Sequence, residues 1–214
     1  MVPARIAGVA LRRLGWTFFR IPFTVSSVLS SYKVESIVAP IPISRWIAFI
    51  ALAIFGTAAD LLSKQWVFAW RGLPGENPPW WIWEGYIGIE TAVNTGALFG
   101  MGAGYGGLFA GMSIVAAAAI MIWLFGFRAA NSWFLTIALG CVMGGIMGNL
   151  YDRLGLWYSP DMPVPCGVRD WILLRYRHYT WPNFNIADSL LVCGAIMLAW
   201  QSILSPSQPV EAKN

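Results

Sequence analysis

Charge is what this chain has least of. Only 11% of its 214 residues are Asp, Glu, Lys or Arg and 57% are hydrophobic, whereas soluble domains carry about 25% charged residues. An ordinary soluble globular protein is excluded. The aromatic content of 15%, with 13 Trp, also excludes a disordered chain, which is poor in aromatics and rich in charge. A mean hydropathy of +0.60 points to the bilayer as the solvent. Histidine is nearly missing: His178 stands alone, which rules out every multi-histidine metal motif, HExxH among them. The three cysteines, Cys141, Cys166 and Cys193, have no CxxC spacing and imply neither a disulfide framework nor a thiolate metal site. The net charge of +4 is small and forms no basic stripe, so nucleic acid is not an expected partner and membrane lipid is.

A membrane-spanning helix needs about 20 mainly apolar residues. Four segments qualify: Trp46 to Trp70, Tyr105 to Phe127, Ser132 to Leu150, and Phe184 to Leu204. Only Arg128 to Asn131 separates the second span from the third, so those two helices are antiparallel neighbours. Arg5, Arg12, Arg13, Arg20, Lys33, Arg45, Arg128 and Lys213 fall on the side of both termini; Arg71, Arg153, Arg169, Arg175 and Arg177 fall on the other. This excess places both termini in the cytoplasm.

Residues 1–44 read as a cytoplasmic extension, 45–204 as the four-helix membrane domain, and 205–214 as a tail. No apolar region of signal-peptide length follows the early arginines. Arg5 to Arg20, interleaved with Trp16, Phe18 and Phe19, forms either an interfacial helix or a partly disordered basic tail. Two larger loops face the opposite side. The first carries PPWWIWEGYIGIE, with interface-loving aromatics and an alternation near Tyr86 to Thr91 that predicts short strands; Thr91 to Gly106 reads as an ordered loop. The second ends in the amphipathic, aromatic string WILLRYRHYTWP, expected on the bilayer surface. The expected fold is therefore an all-α membrane protein of four transmembrane helices, with a small extracytoplasmic β-containing loop region and a surface amphipathic segment.

Carboxylates are scarce enough to follow one by one. Asp60, Asp152 and Asp188 lie within or at the ends of the spans, and Asp170 precedes WILL. A carboxylate in a bilayer costs about 2.5–3.5 kcal/mol on insertion scales, so each needs a partner or a task. Asp60 and Lys64 are i and i+4 and can pair on one helix face. Asn149 and Asp152 are i and i+3 at the end of the third span, and Asn185 and Asp188 repeat that spacing at the start of the fourth. The topology brings these two ends to one side together with Asp170. Arg153 neutralising Asp152, and Asn185 capping the fourth helix, would be purely structural uses of these residues. Asp170 and Asp188, however, have no sequence-local cation on their own face, because Arg169 is an adjacent residue that points away from Asp170. Two unpaired carboxylates in a low-dielectric site share a proton, and one then acts as general base on water while the other acts as general acid. That is aspartic protease chemistry. Ser63 beside Lys64 faces another direction, and His178 has no serine partner that spacing identifies.

The strings DLLSK (Asp60 to Lys64), NTGALFG (Asn94 to Gly100), GGIMGNLYDR (Gly144 to Arg153), VRDW (Val168 to Trp171) and FNIADS (Phe184 to Ser189) resemble, in order, those of signal peptidase II, the prolipoprotein signal peptidase family of intramembrane aspartic proteases. The resemblance implies Asp170 and Asp188 as the catalytic pair, with Asp60, Lys64, Asn94, Gly96, Asn149, Asp152, Arg153, Asn185 and Ala187 contacting substrate or supporting the site. It implies an ion pair of Asp152 with Arg153 that fixes the third helix end. It also implies a monomeric enzyme of the bacterial cytoplasmic membrane, with its site near the extracytoplasmic face and no metal or organic cofactor. The substrate would be a diacylglyceryl-modified prolipoprotein, cut before the lipidated cysteine. Three features depart from the family: the extension of residues 1–44, the long stretch LGLWYSPDMPVPCGV before Arg169, and Arg169 itself in place of an apolar residue, where a cation is expected to lower the pKa of Asp170. A small proton- or ion-coupled transporter is the alternative, since intramembrane carboxylates also mark proton relays; a non-catalytic lipid-binding or assembly protein is a third.

Overall fold

The computed structural model describes residues 40–96 and 102–204. The segment Arg5 to Arg20, the tail 205–214, and residues 97–100 of NTGALFG lie outside the described residues. All elements below belong to one compact unit that begins at Ile41.

Four helices are long and apolar enough to cross a membrane. Helix α1 (Ile43–Arg71) starts behind Pro42, whose carbonyl accepts from Arg45 N–H at 2.9 Å, and stops at Gly72. Helix α2 (Gly106–Met121) runs on through a π-helical turn, Ile122–Gly126. The chain reverses at Arg128, in the left-handed region with φ 61°, and a short 3₁₀ turn, Ala129–Asn131, leads to α3 (Trp133–Arg153). Ser132 caps α3 by accepting from Leu135 N–H at 3.3 Å. The last described helix, α4, covers Ile186–Leu204. The expected spans hold to within a few residues at each end.

Helix α3 is the hub. Its most apolar window is 61% buried, against 11–17% for the other three, whose remaining faces are left for lipid. Small residues make this close packing possible. A Cβ added at Gly144 would stand 3.2 Å from Gly56 Cα and 3.3 Å from the Ala53 carbonyl of α1. A Cβ added at Gly145 would stand 2.5 Å from the Ala187 carbonyl and 2.8 Å from Leu191 Cγ of α4. At the turn end, Phe49, Leu124, Leu139 and Met143 form the apolar core.

The two large loops combine into one antiparallel sheet in the order β1-β2-β3-β4, formed by Trp80–Trp83, Ile87–Asn94, Val168–Tyr176 and Tyr179–Phe184. This corrects the all-α expectation in two places. Thr91 to Asn94 continue strand β2 rather than opening a loop, pairing Ala92 with Asp170 and Asn94 with Val168. The string WILLRYRHYTWP is a β-hairpin turning at Arg177, φ 56°. The alternation near Tyr86 to Thr91 does mark a strand. The sheet stands at the end where α1 and α3 finish and α4 starts, so β3 delivers Asp170 to the same place as the helix ends.

Candidate active site

Asn185 is the N-cap of α4, and Asp188 is three residues on. Asn185 Oδ1 accepts from Asp188 N–H at 2.9 Å, while Asp188 Oδ2 accepts from Asn185 N–H at 3.3 Å, a reciprocal capping box. Asn185 Nδ2 donates to Asp170 Oδ1 at 2.6 Å and to Asn149 Oδ1 at 3.1 Å. Asn149 Nδ2 donates in turn to Asp188 Oδ1 at 2.8 Å. Two amides, one from α3 and one from α4, therefore tie together carboxylates that are far apart in sequence. The expected capping role of Asn185 holds, and it coexists with contacts to both acids.

Beneath this layer lies a buried set of charges. Lys64 Nζ is 2.6 Å from Asp60 Oδ2 and 3.1 Å from Asp152 Oδ2, all three side chains being fully buried. It also donates to Asn149 Oδ1 at 2.9 Å. Asp60 Oδ1 accepts from Ala187 N–H at 2.9 Å, so α1 supplies a second anion to the N-terminus of α4, where the helix dipole favours it. The i, i+4 pair foreseen for Asp60 and Lys64 is present, and it serves a larger network.

Asp152 overturns one expectation. Its partners are Lys64 and Arg169, whose Nη2 and Nε donate to Oδ1 at 2.8 and 3.1 Å and whose backbone N–H donates to Oδ2 at 2.9 Å. Arg153 is not its partner. Successive helix residues point about 100° apart, so Asp152 faces α1 and β3 while Arg153 faces the cavity. Arg153 has no ion-pair partner among the described residues. The stretch 154–168 closes over Arg169: Trp157 donates its indole N–H to the Gly167 carbonyl at 2.9 Å, and its ring centroid lies 5.0 Å from the guanidinium carbon.

Asp170, Asp188, Asn149, Asn94 and Arg153 line one cavity of about 810 Å³, whose walls continue along Val192 and Cys193 of α4. A second cavity of about 480 Å³ shares Asn94 and Arg153 with it and is bordered by Gly96 and Cys166. Asn94 Oδ1 accepts from Gly96 N–H at 3.0 Å, which fixes the turn leaving β2. Asp170 is 2% exposed, and neither it nor Asp188 has a cation within salt-bridge distance among the described residues. Burial, then the nearby Asp188 carboxylate, pushes the Asp170 carboxyl up to about 8. The lowering expected from Arg169 does not occur, because that guanidinium is engaged with Asp152.

The structure thus gathers Asp60, Lys64, Asn149, Asp152, Asn185 and Ala187 around the two acids, with Asn94, Gly96 and Arg153 on the cavity walls. Sequence reasoning missed Glu90 and Asn183, which also line the larger cavity and are joined by a hydrogen bond of 3.2 Å. An acidic residue inside the otherwise apolar run YIGIE was the available signal. It missed Trp157 as well, which carries no signal outside the folded chain.

The chain is similar to known proteins over most of its length. A sequence profile described as Signal peptidase (SPase) II matches residues 52–204. A lipoprotein signal peptidase of Rhodopirellula baltica is 59% identical over 174 residues, covering 80% of this chain and 78% of that protein. One from Pseudomonas fluorescens is 42% identical over 120 residues, covering 53% and 64%. A solved bacterial membrane enzyme superposes with a TM-score of 0.61 at 26% identity, covering 77% of this chain and 94% of that one. The profile covers α1 from residue 52 onward and every later element through α4, and with it the chain belongs to the signal peptidase II family.

Proposed function

We propose that this protein is an aspartic endopeptidase of the bacterial inner membrane that removes the signal peptide from diacylglyceryl-modified prolipoproteins, cutting before the lipidated cysteine. The observation that carries the reading is the pair Asp170 and Asp188: two carboxylates on one cavity, linked through Asn185 and Asn149, neither in a salt bridge among the described residues. The family's membership supports the proteolytic activity; nothing among the relatives supports the transporter.

The chemistry follows from the unequal environments of the two acids. Asp170, held protonated at neutral pH, is the general acid, and Asp188 is the general base. Asp188 takes a proton from water as the water oxygen attacks the scissile carbonyl carbon, and Asp170 gives its proton to the carbonyl oxygen. The resulting gem-diol collapses: the C–N bond breaks, Asp188 returns its proton to the leaving nitrogen, and a hydroxyl proton restores Asp170. Asn185 and Asn149 donate to one oxygen of each acid, which leaves Asp170 Oδ2 without a hydrogen bond among the described residues and open to the substrate.

Orientation is part of the proposal. Both termini are cytoplasmic and the sheet lies at the outer interface of the membrane, a reading supported by exposed Trp66, Trp70, Trp80, Trp83, Tyr176 and Tyr179 around it. The hairpin β3–β4 takes the place of the surface amphipathic segment. A monomer suffices, since both acids come from one chain. The apolar wall along Val192 and Cys193 gives the acyl chains a path into the bilayer. The test is a gel-shift assay with purified enzyme and lipidated substrate: Asp170→Asn and Asp188→Asn should each abolish cleavage, and full turnover by either refutes the assignment.

A further inference from the structure

Arg169 directly precedes Asp170 yet does not reach the cavity. Its fork is closed on Asp152, Nη1 reaches Gln65 Oε1 at 3.4 Å, and the rings of Trp157 and Phe68 lie 5.0 and 5.9 Å from its guanidinium carbon. The residue is 3% exposed. It cannot touch substrate.

Its effect is a matter of counting buried charges. Asp60 and Asp152 bring two negative charges, Lys64 and Arg169 bring two positive ones, and none of the four is more than 3% exposed. A buried charge left without its counter-charge is strongly destabilising, so the set holds together only as a neutral whole. Lys64 is shared three ways, among Asp60, Asp152 and the Asn149 oxygen. Arg169 satisfies most of Asp152, which leaves the Lys64 ammonium free to hold Asn149. The other end of that amide is the donor to Asp188. Meanwhile the Arg169 backbone N–H, bound to Asp152, pins β3 one residue away from Asp170.

We infer that Arg169 is a positioning residue for the acid pair: it balances Asp152, thereby keeping Lys64 on Asn149 and Asn149 on Asp188, and it fixes the strand that presents Asp170. The inference rests on the reading of Asp170 and Asp188 as the catalytic pair. The groups facing Asp170 are Asp188 from α4, Lys64 from α1, Asp152 and Arg153 from α3, and the Asn185 amide. Those facing Arg169 are Asp152 from α3 and Gln65 from α1, with Lys64 and Asp60 behind them. Loss of the Arg169 charge leaves a net negative charge in this set, and that favours the protonated form of Asp170 to higher pH.

The experiment compares the parent with Arg169→Met, Arg169→Lys, and Arg169→Met combined with Asp152→Asn, in the gel-shift assay across pH. Arg169→Met should lower kcat about tenfold or more with KM changed less than about threefold, and should move the alkaline limb of the rate upward. Arg169→Lys, which keeps the charge and loses the fork, should hold the limb in place with a loss of about threefold. The double variant removes the orphaned carboxylate and should recover most of the kcat and the parent limb. Parent kcat and parent pH profile in Arg169→Met overturn the inference, as does a double variant no better than the single one. Should Arg169→Met not yield folded protein, Arg169→Lys decides, a displaced limb in that variant being the contrary result. Asp170→Asn is run alongside: its inactivity keeps the catalytic reading intact whatever Arg169 does, and its full turnover defeats both.

Discussion

Asn185 and Asp188 cap each other, each side chain accepting from the other's backbone N–H, at 2.9 and 3.3 Å. The same Asn185 amide reaches Asp170 at 2.6 Å. Helix initiation and acid alignment are therefore one interaction set. Replacing Asn185 with Ala should cost about 1 kcal/mol in thermal unfolding of the detergent-solubilised protein. It should cost far more in turnover, about 100-fold, because both carboxylates lose their reference point. Comparable percentage losses of stability and rate would contradict this.

Asp170 predicts opposite pH trends for stability and for a substitution at the same position. Its carboxyl sits at about 8 in the fold against an ordinary 3.8. The unfolded chain therefore releases this proton between those values while the folded chain retains it. The contribution is complete below 3.8 and declines as pH rises toward 8, by at most about 1.4 kcal/mol per pH unit. Asp170→Asn has no such decline and should melt progressively higher than the parent from pH 4.5 to 8, with a constant difference above. Cleavage by the parent should fall as pH rises through about 8, where Asp170, the general acid of the proposed mechanism, loses its proton. Melting curves and initial rates across pH check both statements.

Among the described residues, Lys64 is the one cation shared by two buried carboxylates. Lys64→Met matches its length and removes its charge, which leaves Asp60 and Asp152 with Arg169 alone. A loss of about 3–5 kcal/mol is expected from thermal or chemical unfolding. Asp60→Asn in that background should return part of it, because one stranded anion is gone.

Glycines in this fold divide into those pressed against a neighbour and those facing open space. Gly145→Ala places a methyl 2.5 Å from the Ala187 carbonyl, an atom of the α4 backbone that moves only if Asp188 moves with it. A cost of about 1–3 kcal/mol and a drop in kcat should follow. Gly111→Ala meets nothing within 4 Å and should be neutral or slightly stabilising, by up to about 1 kcal/mol. Equal effects from the two would remove the packing argument.

The spans were legible because the bilayer tolerates so little charge: even α1, with Asp60 and Lys64 inside it, stood out by length and apolarity. The acid pair was legible by elimination, from carboxylates without local cations. Strand β3 was not, since its burial pattern does not alternate and VRDWILLRY carries no period-two signal. The partner of Asp152 is hidden from the sequence: neighbouring side chains diverge at Asp152 and Arg153 as they do at Arg169 and Asp170, and only the folded arrangement brings Arg169 across 17 residues to Asp152. Trp157 belongs to the same class, since its task exists only once the connection has closed.

The residues that make up this site enter the membrane in order, from Asp60 on the first described span to Asp188 on the fourth. Asp60 receives the N–H of Ala187, so the earliest acid waits for the latest helix. A nascent chain that has passed β3 holds Asp170 but not yet Asp188, and its Asp60 still lacks the N–H of Ala187. Translation thus sets the order of assembly: the two acids can meet only after the ribosome has delivered α4.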